Sequence, residues 1–329
     1  MNYIQEHGLI YDLKAYVKGE KLLIVMSNFN TEKYQKIMDD VLDVEHEYIV
    51  YDKECSEANV KKIAEKMKKE NFDSILGFGG GKVMDVVKAV SFYHDCFVGV
   101  MPTTASMDGA GTDVSVLYHE DHTFNRYLKL NKEPDVVLAD SEIIFDAPFK
   151  FICSGMADAL STYFETKDYS IHEEVDEHAL RMSHICLYNI IDNYDGVKMA
   201  YRQGKINVEV EDTIRTILNF SAQAFMKTGS SVAHAFANAT TRFAKSKGSH
   251  GERVAVGLRL LLLLAENNWI EDVDLFLKRM DMPKTLTQLN LKEEDLDKLA
   301  NYIKEEKSMC YAKEAYSIEE IKHALKMIL

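Results

Sequence analysis

The segment Ile75-Leu76-Gly77-Phe78-Gly79-Gly80-Gly81-Lys82-Val83-Met84-Asp85 decides the fold. An apolar run ends in a cluster of glycines, and an amphipathic pattern begins at once. The segment predicts a strand that turns sharply into a helix. N–H groups at such a helix start point at an incoming anion, and the missing side chains let a pyrophosphate approach closely. Two familiar templates do not match. G-x-G-x-x-G would need glycine where Lys82 stands, and G-x-x-x-x-G-K-[ST] would need glycine at Leu76 and a hydroxyl residue at Val83. The turn is therefore a phosphate cradle of a third kind, or else a merely tight strand-to-helix connection.

Outward from this turn the first half keeps a rhythm. Apolar runs at Leu22–Met26, Tyr48–Tyr51, Ser74–Phe78 and Phe97–Met101 alternate with helical patterns at Thr31–Leu42, Glu57–Glu70 and Lys82–Phe92. That alternation predicts an α/β fold with a parallel sheet covered by helices on both faces. The rhythm breaks over Thr112–Asp140. Val114, Val116 and Tyr118 alternate with polar or small neighbours, and Tyr127–Leu130 reads as the returning strand of a hairpin. Val136–Leu138 reads as one more buried strand. Pro102, Pro134 and Pro148 cluster, and the next proline is Pro283. The proline-poor stretch between them, rich in Ala, Leu, Met, Glu and Lys, reads as helix. A boundary near Ala147–Lys150 divides the chain into an α/β unit, 1–148, and an all-α unit, 149–329.

Composition sets outer limits. The 329 residues carry 39 Lys and Arg against 53 Asp and Glu, a net charge of −14. At roughly 150 residues per domain, that length suggests two domains. An acidic surface repels phosphate backbones, so nucleic acid is not an expected partner. The apolar run Leu258–Ala265 is broken by Arg259 and falls short of the about 18 residues needed to span a bilayer, so no membrane span is expected. The N-terminal stretch has no basic region followed by an apolar block, so no signal peptide is expected. Cys55, Cys96, Cys153, Cys186 and Cys310 are scattered and form no C-x-x-C pair. This excludes a zinc ribbon and points to a reducing, cytoplasmic compartment. The run Lys61, Lys62, Lys66, Lys68 and Lys69 interleaves with Glu65 and Glu70 and reads as a solvated helix face.

A second polar turn, Pro102-Thr103-Thr104-Ala105-Ser106-Met107-Asp108-Gly109, follows the Phe97–Met101 strand. In open α/β sheets, ligands bind beyond the carboxyl ends of strands. Both turns lie at such ends, and hydroxyls beside a carboxylate suit a nucleotide or a polyol.

Three segments together resemble the glycerol dehydrogenase branch of the iron-containing alcohol dehydrogenase superfamily. They are Gly79-Gly80-Gly81-Lys82 with Asp85; Pro102-Thr103-x-Ala105-Ser106-x-Asp108 with Ser115-Val116-x-Tyr118; and Pro134-Asp135-x-Val137-Leu138-x-Asp140 leading into Gly155-Met156-Ala157-Asp158-Ala159-Leu160. The resemblance covers most of residues 1–265 and implies the dehydroquinate synthase-like fold of that superfamily, with a divalent metal between the two units. It implies that Gly79, Gly80, Gly81, Lys82 and Val83 hold the cofactor pyrophosphate. Thr103, Thr104 and Ser106 would line the nicotinamide side, with Thr112, Val114 and Tyr118 completing the pocket. Asp108 would face the substrate as the catalytic position, and Asp158, His234 and His250 would be the metal ligands. A homo-oligomer is expected.

The residues themselves bear on the metal set. His234 lies in the apolar, small-residue segment Ser230–Ala239, and Asp158 lies in surroundings of the same kind. An unpaired imidazole or carboxylate is costly there. His250 precedes the Val254–Leu264 helix. Two imidazoles and a carboxylate suit a catalytic divalent ion, zinc as first choice and iron or nickel as alternatives. Taken singly, each also reads as a hydrogen-bonded core or capping residue. His119 and His122 read as solvated in the hairpin turn. His172, His178 and His184 are spaced by six, which does not stack on a helix.

The expected reaction is hydride transfer between a nicotinamide cofactor and glycerol or a related small polyol. A sister family, the glycerol-1-phosphate dehydrogenases, is the alternative, and a non-catalytic nucleotide-binding module is a rival of another class. The sister family carries a histidine four residues after the first metal histidine, where this chain has Asn238. NAD is favoured, with NADP possible, because Val25-Met26-Ser27-Asn28-Phe29-Asn30 holds neither a carboxylate nor an arginine.

Overall fold

The computed structural model describes residues 2–121, 123–309 and 312–329. His122 and Cys310 lie outside the described residues. The strands are β1 (Asn2–Glu6), β2 (Lys21–Met26), β3 (Glu45–Val50), β4 (Ser74–Gly79), β5 (Phe97–Pro102), β6 (Val114–Tyr118), β7 (Phe124–Lys129) and β8 (Val136–Asp140). Between them run α1 (Thr31–Val41), α2 (Glu57–Glu70) and α3 (Gly81–Tyr93). Six strands form one sheet in the order β1-β8-β5-β4-β2-β3, and β6 and β7 form a separate hairpin. Every neighbouring pair in the large sheet is parallel.

The central strands read as unbroken apolar runs because both of their faces are covered. On β2, Leu22, Ile24 and Met26 join the core on the α1 side, with Tyr34 and Met38. Leu23 and Val25 point the other way, into the core shared with α2 and α3. The second of these cores continues without a break into the helical half.

The edge elements depart from the sequence reading. Strand β1 was not expected, because Asn2-Tyr3-Ile4-Gln5-Glu6 mixes polar and apolar residues. It forms by pairing along β8, Tyr3 beside Val137 and Ile4 beside Leu138. The Asp140 carboxylate fastens the following turn by accepting the Gly8 and Ile10 N–H groups at 3.3 and 3.0 Å. Strand β3 starts at Glu45 rather than Tyr48. Its acidic residues sit on the sheet edge and pair with lysines: Glu45 with Lys21 at 2.8 Å and Glu47 with Lys66 at 2.9 Å. Strand β7 starts at Phe124 rather than Tyr127, with Arg126 turned to Glu57 at 3.1 Å.

From α4 (Ser141–Phe145) onward the chain is helical. Helices α5 (Phe149–His172), α6 (Glu177–Gln203) and α7 (Val208–Arg215) lead into a π-helical turn, Thr216–Ser221. Helices α8 (Ala222–Thr228), α9 (Val232–Thr241) and α10 (His250–Leu264) follow, then α11 (Ile270–Arg279), α12 (Leu296–Glu305), α13 (Ala312–Ala315) and α14 (Ile318–Met327). Pro148 stands at the N-cap of α5, where its missing N–H costs nothing. Among the described residues, no helix is long and apolar enough to cross a membrane.

Helices α5, α9 and α10 meet at backbone distance. A Cβ on Gly251 of α10 would overlap the Ser154 carbonyl of α5. A Cβ on Gly155 would overlap the carbonyl of Ala105, and one on Gly257 that of Ala233 on α9. Each contact lies within three residues of Asp158, His234 or His250. Gly251→Ala should therefore destabilise the fold. The gain in helix propensity is about 1 kcal/mol, whereas overpacking a backbone contact costs roughly 1–3 kcal/mol. Urea unfolding should give a lower midpoint with an unchanged slope, and an equal or higher midpoint would show that the helices can part at no cost.

Candidate active site

The two turns singled out in the sequence lie side by side. Gly79 at the end of β4 is in register with Pro102 at the end of β5, and the Thr103 N–H donates to the Gly79 carbonyl at 2.9 Å. The glycines divide by role, and none has a positive φ. Gly79 is bare because Val83 packs onto it; an added Cβ would lie 2.9 Å from Val83 Cγ2. Gly80 faces open space, with no protein atom within 4 Å of where a Cβ would stand. Packing does not require that glycine, so the position remains open to a ligand. Helix α3 begins there, and its first N–H groups have no partner within the helix. Lys82 at this start forms an ion pair with the buried Glu54.

A cavity of about 340 Å³ opens between this helix start and the helical half. Of the residues singled out in the sequence, Gly81, Lys82, Asp108, Thr112, Val114, Tyr118, His234 and His250 line it. Gly79, Gly80, Val83, Thr103, Thr104, Ser106 and the buried Asp158 lie outside that lining. Thr103 is buried, and the Thr104 and Ser106 hydroxyls pair with each other at 3.2 Å. The Thr112 hydroxyl donates to the Gly109 carbonyl at 3.1 Å. Glu54, Asp85, Tyr127 and Asn238 also line the cavity. His119 and His178 are exposed on the surface.

At one end of this cavity three side chains converge. Asp158 of α5, His234 of α9 and His250 of α10 place one ligand atom each within 4.8 Å of one another. Asp158 Oδ1 lies 3.2 Å from His234 Nε2 and 3.1 Å from His250 Nε2. Asp158 Oδ2 accepts the Asp108 N–H at 3.1 Å. Burial alone would raise the Asp158 pKa, but His250 and His234 hold it well below the usual carboxylate range. Burial would lower the pKa of His234, but the Glu165 and Asp158 carboxylates raise it well above its ordinary value. The cluster thus holds buried negative charge that attracts a cation. Two imidazole nitrogens and a carboxylate oxygen form a donor set that fits a divalent ion.

Asp108 is buried and accepts a hydrogen bond on Oδ2 from Ser221 at 2.8 Å. Burial, and then the nearby Asp158 carboxylate, push its pKa up to about 7 in the metal-free protein. Ser221 reaches it from the π-helical turn between α7 and α8, a local widening of the kind that often marks functional sites. No composition or spacing signal pointed to Ser221.

Two further charged residues escaped the sequence reading. Glu165 lies seven residues beyond Asp158 on α5, on the same helix face, and accepts the His234 Nδ1 proton at 2.6 Å. Lys88 of α3 is fully buried. It donates to the Gly109 and Val114 carbonyls and, at 3.3 Å, to the carbonyl and hydroxyl oxygens of Thr112. Asp85 lies 3.6 Å from its ammonium. One lysine therefore ties helix α3 to the loop that carries Asp108. A lysine three residues after an aspartate, inside an otherwise apolar helix, was the available signal.

A family model described as iron-containing alcohol dehydrogenase matches residues 1–141. A glycerol dehydrogenase of Pseudomonas putida is 30% identical over 256 residues, spanning 75% of this chain and 70% of that protein. A glycerol dehydrogenase of Thermotoga maritima is 29% identical over 317 residues, spanning 91% of this chain and 86% of that protein. In fold, the chain resembles the crystal structure of a probable glycerol dehydrogenase from Sinorhizobium meliloti 1021. The TM-score is 0.94 at 24% identity, over 99% of this chain and 96% of that one.

Lys88→Met removes the ammonium and leaves the loop carbonyls and Asp85 without their buried partner. Breaking such an arrangement typically costs about 3–5 kcal/mol. Chemical denaturation should show a loss of that order, and a loss under about 1 kcal/mol would mean that water replaces the lysine without strain.

Proposed function

The chain belongs to the iron-containing alcohol dehydrogenase family, and from that premise we propose that it is a metal-dependent dehydrogenase of glycerol or a closely related small polyol, interconverting glycerol and dihydroxyacetone. The observation that carries this reading is the convergence of Asp158, His234 and His250 at one end of a cavity whose other end is the glycine turn. A non-catalytic nucleotide-binding module would have no use for that cluster. In this reading residues 1–148 bind the cofactor and 149–329 supply the metal ligands and the rest of the substrate site.

When bound, a divalent ion supplies Lewis acidity that lowers the pKa of a substrate hydroxyl, and a nicotinamide cofactor supplies the hydride acceptor. The protein's own groups bind and orient. Asp158, His234 and His250 would hold the ion, zinc by donor preference. The α3 start at Gly80–Lys82 would hold the pyrophosphate, with Lys82 exchanging Glu54 for phosphate. Thr112, Val114 and Tyr118, which line the cavity, would complete the nucleotide pocket. Asp108, steadied by Ser221, would accept a hydrogen bond from a second substrate hydroxyl. NAD remains the first choice of cofactor. The described cysteines are free and buried, in keeping with a reducing, cytoplasmic location.

The cavity disfavours a phosphate ester. Lys82 is the one lysine or arginine among its lining residues, against Glu54, Asp85 and Asp108. Asn238, at the position where the phosphate-handling sister family carries histidine, donates instead to the Tyr127 hydroxyl at 2.7 Å.

Three outcomes test this. With zinc and NAD supplied, kcat/KM for glycerol should exceed that for glycerol 1-phosphate, and the opposite order would promote the sister family. Asp108→Asn should cost glycerol more than a simple mono-alcohol, since the mono-alcohol has no second hydroxyl to lose; equal losses would remove Asp108 from the substrate. Metal binding should tighten with pH. The raised pKa of His234 means that a proton occupies the imidazole near neutrality and must leave before the ion binds. Affinity measured against a competing chelator should rise at least about tenfold from pH 6 to pH 8, and a flat profile would show that the ion does not use His234.

A further inference from the structure

The metal reading makes no use of the buried acid that stands behind His234. Glu165 is 3% exposed and lies on α5 two turns beyond Asp158. Its two oxygens do different work. Oε1 accepts the backbone N–H groups of Ser231 at 2.7 Å and His234 at 3.3 Å, and so caps the start of α9. Oε2 lies 2.6 Å from His234 Nδ1. A carboxylate accepts hydrogen bonds and donates none, so the proton between them belongs to Nδ1. The other ring nitrogen, Nε2, is the one 3.2 Å from Asp158 Oδ1.

We propose that Glu165 is the positioning residue of the metal centre. By holding the proton on Nδ1 of His234, it keeps the Nε2 lone pair aimed at the point shared with Asp158 and His250. It also adds negative charge behind the ligand, which makes the imidazole a better donor. The inference rests on the metal reading above and deepens it. His250 meets Asp158 through Nε2 at 3.1 Å, whereas His234 has a second carboxylate, Glu165, on Nδ1, the ring nitrogen turned away from the shared point. Glu165 comes from the same helix as Asp158. Helix α5 therefore supplies one ligand directly and orients a second.

Glu165→Gln separates this role from the helix cap. The amide oxygen can still accept the Ser231 and His234 N–H groups. The amide nitrogen, however, donates where the carboxylate accepted. It therefore favours the tautomer with the proton on Nε2, the atom that must be free for the metal. Metal-stripped wild type and E165Q are titrated with zinc against a chromophoric chelator in the same buffer at one fixed pH. E165Q should bind zinc about 10- to 100-fold more weakly, with one site retained and a urea midpoint near that of wild type. Its cobalt(II)-loaded form should show shifted d–d absorption bands, a change that a loosened helix cap alone would not produce. Equal zinc affinity and an unchanged cobalt spectrum would overturn the proposal. Wild type that binds no zinc would overturn the metal reading itself. If E165Q does not fold, zinc-loaded wild type labelled with ¹⁵N-histidine answers the same question. His234 should then show a protonated Nδ1 and a ligated Nε2, and ligation through Nδ1 would overturn the proposal.

Discussion

A single buried carboxylate organises this molecule. Asp158 is 1% exposed and touches both imidazoles, while its second oxygen holds the backbone of the loop after β5. A charge so placed is tolerated only when every direction around it offers a donor or a cation. That condition draws α5, α9, α10 and the Asp108 loop to one point. The small residues around the site follow from it. Gly155, Gly251 and Gly257 each stand against a carbonyl of the element they meet, so the helices approach closely enough for short side chains to converge.

Helix α3 joins the two ends of the cleft. Its first turn, at Gly80–Lys82, presents unpaired N–H groups beside open space, the arrangement that receives an anion. Two turns further along, Lys88 gathers the carbonyls of the loop from Gly109 to Val114. Those two features share one rigid rod. The position of Asp108 relative to the glycine turn is therefore set by a helix rather than by a flexible loop. From the other side, the π-helical turn at Thr216–Ser221 brings the Ser221 hydroxyl onto Asp108.

Charge decides what such a cleft accepts. Acidic groups dominate its lining, and the protein as a whole carries −14. The one lysine of the lining stands at the helix start, where a diphosphate would lie, and is neutralised by Glu54 until displaced. At the other end the described lining offers no lysine or arginine to a second phosphate, whereas a neutral, hydroxyl-rich substrate would need none.

Much of this was legible in the residues alone, and the reason is periodicity. Strands buried on both faces must be apolar throughout, so β2, β4 and β5 stand out in the sequence, as does the alternating strand β6 of the hairpin. Strand β1 escaped because an edge strand needs cover on one side only and can carry Asn2, Gln5 and Glu6. The turn at Gly77–Gly81 announced a strand-to-helix junction, but only the packing showed that Gly79 serves Val83 while Gly80 guards empty space. Asp158, His234 and His250 were named through family resemblance; their sequence separations of 76 and 16 residues carry no geometric information. Glu165, Lys88 and Ser221 fall into a further class. Each is a polar residue whose role is a contact with a distant segment, and a local pattern reports only the face of an element, not what that face will meet. The amino-acid sequence by itself determined the sheet, its helices and the place of the glycine turn, because local burial writes a period into the chain. The tertiary structure decided which charges share a site, because the meeting of distant helices depends on backbone approach distances that no local pattern encodes.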